Sequence, residues 1–176
     1  MRQVFRMRPW IFPPEPQAIQ EIFVRYGVIR EFAKGAVMEH GGKGDAAQVG
    51  FLTKGLATFS CLDVQSQTHI FALLAPGRAL GDLDALNPHR VAVQVDFIRP
   101  SSVLIVPRAR FLESLRASVE MMEIYADLAI LKQESALEGM LANFTLDLEA
   151  RLRVFLLSAC KSSKDHSKPR NEVDTS

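Results

Sequence analysis

The sequence is poor in cysteine: only Cys61 and Cys160 occur among 176 residues, far apart and without a CxxC pair. Zinc knuckles and four-thiolate iron–sulfur clusters need more thiols at closer spacing, so both kinds of site are excluded. Two isolated thiols are typical of a reducing compartment, and we expect a cytoplasmic protein in which both are free.

The chain also lacks an excess of charge of either sign. Lys and Arg number 21 against 20 Asp and Glu, so the net charge indicates neither a nucleic-acid partner nor a membrane surface. No apolar run approaches the roughly 18 residues that span a bilayer. The apolar triplet Trp10-Ile11-Phe12 ends at Pro13 and is too short for a signal peptide, so we expect no membrane partner.

What is present is the composition of a packed domain, with 48% hydrophobic and 23% charged residues. Four prolines, at positions 9, 13, 14 and 16, predict that residues 1–16 form an extended arm that avoids helix. Ile19, Ile22 and Phe23 then lie at helical spacing, which predicts a short amphipathic helix over residues 17–26.

Short β-rich runs separated by turn residues fill the middle of the chain. The predicted strands cover residues 36–39, 49–52, 57–62, 69–74, 91–98 and 103–106. Glycine turns such as Lys34-Gly35 and Lys54-Gly55 separate them. Because no long helices alternate with these runs, we expect a mainly β protein with helices: an antiparallel β-roll of the jelly-roll or double-stranded β-helix type, with flanking helices.

Residues 80–95 combine a candidate phosphate-binding loop with the start of a strand. Gly81 allows close backbone approach, Asp82 offers an acceptor to a sugar hydroxyl, and a short helix-forming run follows. Arg90 adds a planar cationic fork that suits a phosphate. This pattern predicts a sensor of a small anionic molecule. The alternative without a ligand is an internal ion pair of Arg90 with Asp82 or Asp84.

After Pro107, which suits a first helical turn, the apolar residues follow a period of 3.6. A long helix without proline is predicted over residues 119–144, from Val119 to Phe144. Its two apolar stripes contain Met121, Ile124, Leu128 and Leu131, and Ile130, Leu137, Leu141 and Phe144. We expect one stripe to dock on the roll and the other to form a homodimer, the alternative being that a monomer buries both.

A break in the pattern follows the long helix. Thr145 and Asp147 predict a hinge with an N-cap at Asp147, and a last helix over residues 148–159. From residue 161 the sequence is polar, and we expect disorder there.

This order of features resembles the sensor half of the cyclic AMP receptor protein and fumarate–nitrate regulator superfamily, over roughly residues 17–157. The family cassette reads Gly-Glu-Leu, a loop, then Arg-Ser/Thr-Ala; here Gly81-Asp82-Leu83 is followed by Arg90-Val91-Ala92. The turns at Lys34-Gly35, Lys54-Gly55 and Ala75-Pro76-Gly77 fall where the family has them.

The resemblance implies a dimeric transcription regulator that holds a cyclic nucleotide, or another small anionic effector, in the roll. It implies a ligand site formed by Gly81, Asp82, Leu83, Arg90, Val91, Ala92 and Ser135. Asp82 would accept from the ribose 2′-hydroxyl, Arg90 would bind the cyclic phosphate, and Ser135 would face the base. Asp82 is one methylene shorter than the family's Glu, and Val91 lacks the hydroxyl expected there. A missing bond to a charged group is worth about 1.5–3 kcal/mol, so weakened nucleotide binding or another anion is expected.

The resemblance also divides the chain. We expect an arm (1–16), a sensor domain with the dimerisation helix (17–144), a hinge and first helix of a truncated winged-helix domain (145–160), and a polar tail (161–176). A complete winged helix-turn-helix needs on the order of 70 residues beyond the hinge. DNA contact would therefore depend on a domain that this sequence does not contain.

Three other interpretations stay open. The first is a ligand-free dimerisation or interaction module with a vestigial cassette. The second is a haem sensor that uses His40, His69, His89 or His166 as an axial ligand, although none lies in a distinctive haem motif. The third is a small β-barrel metalloenzyme, but these histidines are scattered singly and no nucleophile–base signature occurs, so we expect no enzyme.

Overall fold

The computed structural model describes residues 5, 8–38, 47–62, 65, 67–86 and 93–164. The strands within this part are β1 (Val28–Phe32), β2 (Val37–Met38), β3 (Gln48–Lys54), β4 (Ala57–Leu62), β5 (Thr68–Leu74), β6 (Arg78–Leu80), β7 (Gln94–Phe97) and β8 (Ser101–Pro107). The helices are α1 (Gln17–Tyr26), α2 (Asp82–Leu86), α3 (Arg108–Leu115), α4 (Val119–Thr145) and α5 (Leu148–Lys164).

The strands form two four-stranded sheets, in the orders β1-β8-β3-β6 and β2-β7-β4-β5. All pairings between these strands are antiparallel. One buried cluster takes residues from both sheets and so fills the space between them; Phe32 of β1 stacks there on Phe97 of β7, with ring centroids 4.3 Å apart. The predicted antiparallel β-roll with flanking helices is confirmed.

Two strands were missed in the sequence. The residues of β1, Val-Ile-Arg-Glu-Phe, do not alternate between apolar and polar, and the first four are exposed. The strand therefore lacks the pattern that identifies a half-buried strand. The three residues of β6 are all buried, and the strand is too short to give a pattern. The predicted strand 91–98 begins later, at Gln94, and residues 91 and 92 lie outside the described part. Helix α1 has the predicted bounds.

The long helix α4 differs from its prediction in the face that it buries. The buried residues are Tyr125, Leu128, Lys132, Ser135, Gly139 and Ala142. Of the stripe expected to dock, Leu128 is buried, Met121 and Ile124 are half-buried, and Leu131 is 39% exposed. The inward face includes polar residues, which an apolar pattern cannot identify. The second stripe points away from the roll, as predicted, and Phe144 at its end is 83% exposed.

The region after α4 has a break between two helices where the sequence predicted a hinge, and the last helix ends later than predicted. The Asp147 side chain accepts a hydrogen bond of 2.8 Å from the Ala150 amide, which is the predicted N-cap. Pro107 precedes α3 as its N-cap residue and does not lie in its first turn. Helix α5 continues past residue 159 to Lys164, because no glycine or proline interrupts it before Pro169. Among the described helices, none has the length and apolar character needed to cross a membrane.

Candidate functional site

The turn from β6 into α2 places the candidate cassette at one edge of the roll. Gly81 has a φ of 74°, in the left-handed region that glycine adopts without strain. Its carbonyl accepts from the Ala85 amide at 3.0 Å, and Asp82 begins the helix. Asp82 is only 4% exposed, so its carboxylate points inward and needs internal partners.

Those partners come from α4. The Asp82 Oδ2 atom accepts from the Tyr125 hydroxyl at 2.8 Å and from the Lys132 ammonium at 2.7 Å. Tyr125 and Lys132 are seven residues apart, which is two helical turns, so both side chains reach the same carboxylate. The cassette carboxylate is thus bonded directly to the long helix.

A second carboxylate shares the same ammonium. Glu15 of the arm places Oε1 at 2.7 Å from Lys132 Nζ, and neither side chain is exposed. The same Oε1 accepts from the Ala79 amide of β6 at 2.8 Å. Glu15, Asp82, Tyr125 and Lys132, here the Lys132 cluster, therefore join the arm, the cassette and α4.

The electrostatics of the cluster distinguish its two carboxyls. Burial opposes the ionised form of Asp82, but the Lys132 charge and the bonds from Lys132 and Tyr125 lower its pKa below the usual value. At Glu15, burial and the nearby Asp82 charge outweigh the attraction of Lys132 and raise the pKa. Burial disfavours the charged form of Lys132, yet the two carboxylates raise its pKa. Glu15 is therefore the carboxyl that takes a proton first.

The arm lies between the roll and α4. The Trp10 carbonyl accepts from the Leu73 amide of β5 at 2.6 Å, and Ile11 forms a parallel bridge with Leu73. The Ser135 hydroxyl of α4 lies 2.7 Å from the Arg8 carbonyl oxygen and 3.1 Å from that of Ile11, and it donates to this pair. Residues 8–16, here the docked segment, therefore contact both sides of the site.

Phe12 of the docked segment lines the space beside the described part of the cassette. This cavity, here the roll cavity, has a volume of about 10 Å³. It is lined by Phe12, Phe59, Leu74, Ala79, Leu80, Gly81, Asp82 and Leu83. This volume holds about one water molecule, whereas pockets for small ligands measure roughly 300–1,000 Å³. With the docked segment in place, the roll cavity has no room for a nucleotide.

The structure places four of the seven predicted ligand residues. Gly81, Asp82 and Leu83 line the roll cavity, and Ser135 bonds the docked segment from α4. Arg90, Val91 and Ala92 lie outside the described residues, and the ligand role of all seven residues stays a prediction.

The haem-sensor and metalloenzyme interpretations depend on four histidines, of which the structure describes one. His69 is exposed on β5, whereas His40, His89 and His166 lie outside the part that the structure describes. Among the residues described, no group of three or more His, Cys, Asp or Glu side chains is placed to hold a metal ion.

Sequence reasoning missed Glu15, Tyr125 and Lys132. Lys132 reads as a solvated charge on a helix, and Glu15 sits between two prolines in a segment without periodic pattern. The available signal was spacing, because residues 125, 128, 132 and 135 follow the i, i+3, i+7 rhythm of one helix face. A lysine in that rhythm indicates a buried cation that needs a carboxylate elsewhere.

No protein-family model matches the chain, and no curated protein matches it by sequence. Solved structures do match. A protein from Eubacterium rectale assigned to the Crp/Fnr family of transcriptional regulators has a TM-score of 0.67 at 12% identity, covering 85% of this chain and 69% of that one. The c-di-GMP-responsive regulator CLP of Xanthomonas campestris has a TM-score of 0.61 at 11% identity, covering 90% and 76%.

The catabolite activator protein of Thermus thermophilus has a TM-score of 0.56 at 19% identity, covering 73% of this chain and 61% of that one. The chain spans 55% of the length of the matched regulator CprK, so such proteins extend well beyond the region shared. At these identities the likeness concerns the fold. The chain has the β-roll fold of these matched structures, which is the fold that its sequence resemblance implied.

The Lys132 cluster gives a stability prediction. Lys132→Met removes the ammonium and leaves two buried carboxyls without their cation, which we expect to lower the free energy of unfolding by about 3–5 kcal/mol. Gln133→Met, at the exposed neighbouring position, should change it by less than about 0.5 kcal/mol. Urea unfolding followed by circular dichroism measures both. Equal losses in the two variants would show that Lys132 is not held by buried carboxylates.

Glu15 gives a prediction of pH dependence. Because its pKa is raised above about 4.5 in the folded state, the folded chain holds this proton more tightly than the unfolded chain does. The stabilisation is complete below pH 4.5 and is lost as the pH rises through the folded pKa. In Glu15→Gln this loss is absent, so the wild type should lose stability relative to the variant between pH 4.5 and neutrality. Urea midpoints across this range measure the difference; a constant difference contradicts the assignment.

Proposed function

We propose that this chain is the effector-sensing, dimerising module of a cytoplasmic transcription regulator without enzymatic activity. It takes a small anionic ligand in the β-roll and transmits its binding through α4. In this proposal α5 is the first helix of the DNA-binding unit, and DNA is contacted by a helix-turn-helix that would follow α5. The fold of the matched regulators supports this proposal.

One observation carries the proposal: the cassette carboxylate is bonded to the long helix. An anion bound beside the cassette interacts with Lys132, whose ammonium joins α4 to Asp82 of the cassette and to Glu15 of the arm at 2.7 Å each. Ligand binding and the position of α4 are therefore energetically coupled. A ligand that favours one arrangement of α4 shifts the population toward it.

The ligand class follows from charge. Arg90 in the cassette suits an anion, and Lys132 is a buried cation bonded to Asp82, which lines the roll cavity. Among the matched regulators, CLP is described as c-di-GMP responsive and CprK was solved with o-chlorophenolacetic acid. A phosphate diester and an aromatic acid differ in shape and share negative charge. The anion therefore defines the class, and cyclic nucleotides are one member of it.

A thermal-shift screen tests the ligand. Cyclic nucleotides, cyclic dinucleotides, other phosphorylated metabolites and aromatic acids are each added at millimolar concentration. A ligand that binds only the folded state raises Tm. At a hundredfold excess over Kd it adds about 2.7 kcal/mol to the free energy of unfolding. Arg90→Ala should abolish the shift, and Arg99→Ala, at an exposed position, should retain it. A shift that survives in Arg90→Ala contradicts the role of that residue.

The exposed stripe of α4 supports a homodimer. Ile130, Leu137 and Phe144 repeat every seven residues and are 56%, 62% and 83% exposed, and Leu141 lies between the last two. This is the spacing of a helix that pairs with a second copy of itself. Such a row of exposed apolar side chains is unfavourable in water.

The homodimer is tested by placing a charged side chain in the exposed stripe of α4. Leu137→Glu should convert a dimer into a species with the mass of one chain, 19.6 kDa, because two glutamates would meet at the seam. Ile29→Glu, at a β1 position that is 68% exposed, should leave the dimer intact. Multi-angle light scattering measures both masses. A dimeric Leu137→Glu variant would exclude this stripe as the interface.

A second candidate function is favoured by the small roll cavity. Because the roll cavity among the described residues measures only about 10 Å³, the chain is also suited to a ligand-free dimerisation or interaction module. In that case no anion in the screen raises Tm, whereas Leu137→Glu still yields a monomer.

A further inference from the structure

We propose that residues 8–16 are the resident ligand of the β-roll, and that an effector binds by displacing them. The second claim, displacement of residues 8–16 by an effector, rests on the proposed effector function. The first claim, that the roll holds a segment of its own chain as a ligand, stands on contacts within the structure.

Phe12 is the apolar anchor of the docked segment. Its side chain is 5% exposed and packs in the core cluster of the roll, with its ring centroid 5.9 Å from that of Phe59. Its carbonyl accepts from Arg78 Nε at 3.1 Å, and Arg78 is itself 1% exposed. A buried side chain donor thus holds the backbone at the point where the aromatic ring enters the roll.

Glu15 is the anionic anchor. Its carboxylate contacts Lys132 Nζ at 2.7 Å and the Ala79 amide at 2.8 Å, in the cluster that also holds Asp82. The site therefore already contains an anion from its own chain. An effector that carries negative charge would compete with Glu15 for the same ammonium, so occupation by the arm and by the effector are mutually exclusive.

The backbone of the docked segment is bound in the manner of an added strand. It accepts from the Leu73 amide through Trp10 and donates from the Glu15 amide to the Gly77 carbonyl at 2.8 Å. The bridge between Ile11 and Leu73 extends the edge of the β5 sheet. Extended peptides bind sheet edges by the same main-chain bonds, with side chains in pockets providing the specificity.

Trp10 connects the docked segment with both α4 and α5. It has a φ of 63°, a left-handed conformation that costs a non-glycine residue on the order of 1–3 kcal/mol and persists only where contacts hold it. Its indole lies over Gly139 of α4, where an added Cβ would come within 2.9 Å of the Trp10 Cδ1 atom. It also meets the Phe155 ring of α5 edge-on, at 6.3 Å. Release of the segment therefore removes a contact that bridges α4 and α5.

The docked segment is covalently joined to the roll, and this determines how strongly it competes with an effector. A segment joined to its site by a short linker acts at an effective concentration in the millimolar range. If the segment is docked in about nine chains of ten, the effector binds about tenfold more weakly than to an open roll. A variant that cannot dock the segment should therefore bind the effector about tenfold more tightly.

Gly139→Leu is the variant that tests this inference. Leucine favours helix and would occupy the place of the Trp10 indole, so the segment is displaced without removing any atom of the core. Asn143→Leu, one turn further along α4 at an exposed position, is the matched control. Far-UV circular dichroism checks that both variants fold.

The readout is the fluorescence of Trp10, the single tryptophan among these 176 residues. Trp10 is half-buried, so in the wild type and in Asn143→Leu we expect emission at shorter wavelength and slower quenching by acrylamide than for a fully exposed indole. In Gly139→Leu we expect a red shift and faster quenching, together with faster hydrogen exchange at the Leu73 and Ala79 amides, which lose their partners in the segment. Wild-type Trp10 that is quenched as fast as in Gly139→Leu would overturn the docked segment.

The same readout separates the two claims. An effector that raises Tm and brings wild-type Trp10 to the signal of Gly139→Leu supports displacement. An effector that raises Tm while Trp10 stays shielded overturns displacement and leaves the proposed effector function intact. If no anion raises the Tm of either protein, the effector function and displacement both fail, and the Trp10 signal alone decides whether the segment is the resident ligand.

Discussion

The buried ammonium of Lys132 is the interaction on which the candidate site depends. A charge removed from water is tolerated only when close partners replace its hydration. Here the partners are two carboxylates from separate parts of the chain, Glu15 and Asp82, each at 2.7 Å. One cation therefore fixes the relative positions of the arm, the cassette and α4, and the contacts of Tyr125 and Ser135 follow from that placement.

The fold could be predicted because it follows from periodicity and turn residues. The rhythm of Ile19, Ile22 and Phe23 identified α1, and glycine turns separated most of the strands. The site could be predicted only in part. Gly81 and Asp82 stood out in the sequence, whereas the partners of Asp82 lie 43 and 50 residues further along. Local patterns do not identify the tertiary partner of a charged side chain, so the Lys132 cluster became visible only in three dimensions.

The aspartate at position 82, where the sequence resemblance implies a glutamate, has a physical role in this cluster. A shorter carboxylate stays close to the start of α2, where it accepts hydrogen bonds from two side chains of α4. A lysine has the length to reach it from the helix, and a tyrosine two turns earlier completes its hydrogen bonds. The same residue type that weakens the expected contact with a ribose thus favours an internal contact with the long helix.

Sharing one cation between two carboxylates also confines the structural change. If an anionic effector takes the place of Glu15, the charge around Lys132 is preserved and the bond to Asp82 can persist. The part of α4 near Tyr125 and Lys132 then remains fixed on the cassette. What changes is the set of contacts made by the released segment, at Ser135, at Gly139 and at Phe155 of α5. These contacts lie along the C-terminal half of α4 and across the hinge, so the effect of binding reaches α5 while the roll keeps its hold on the helix.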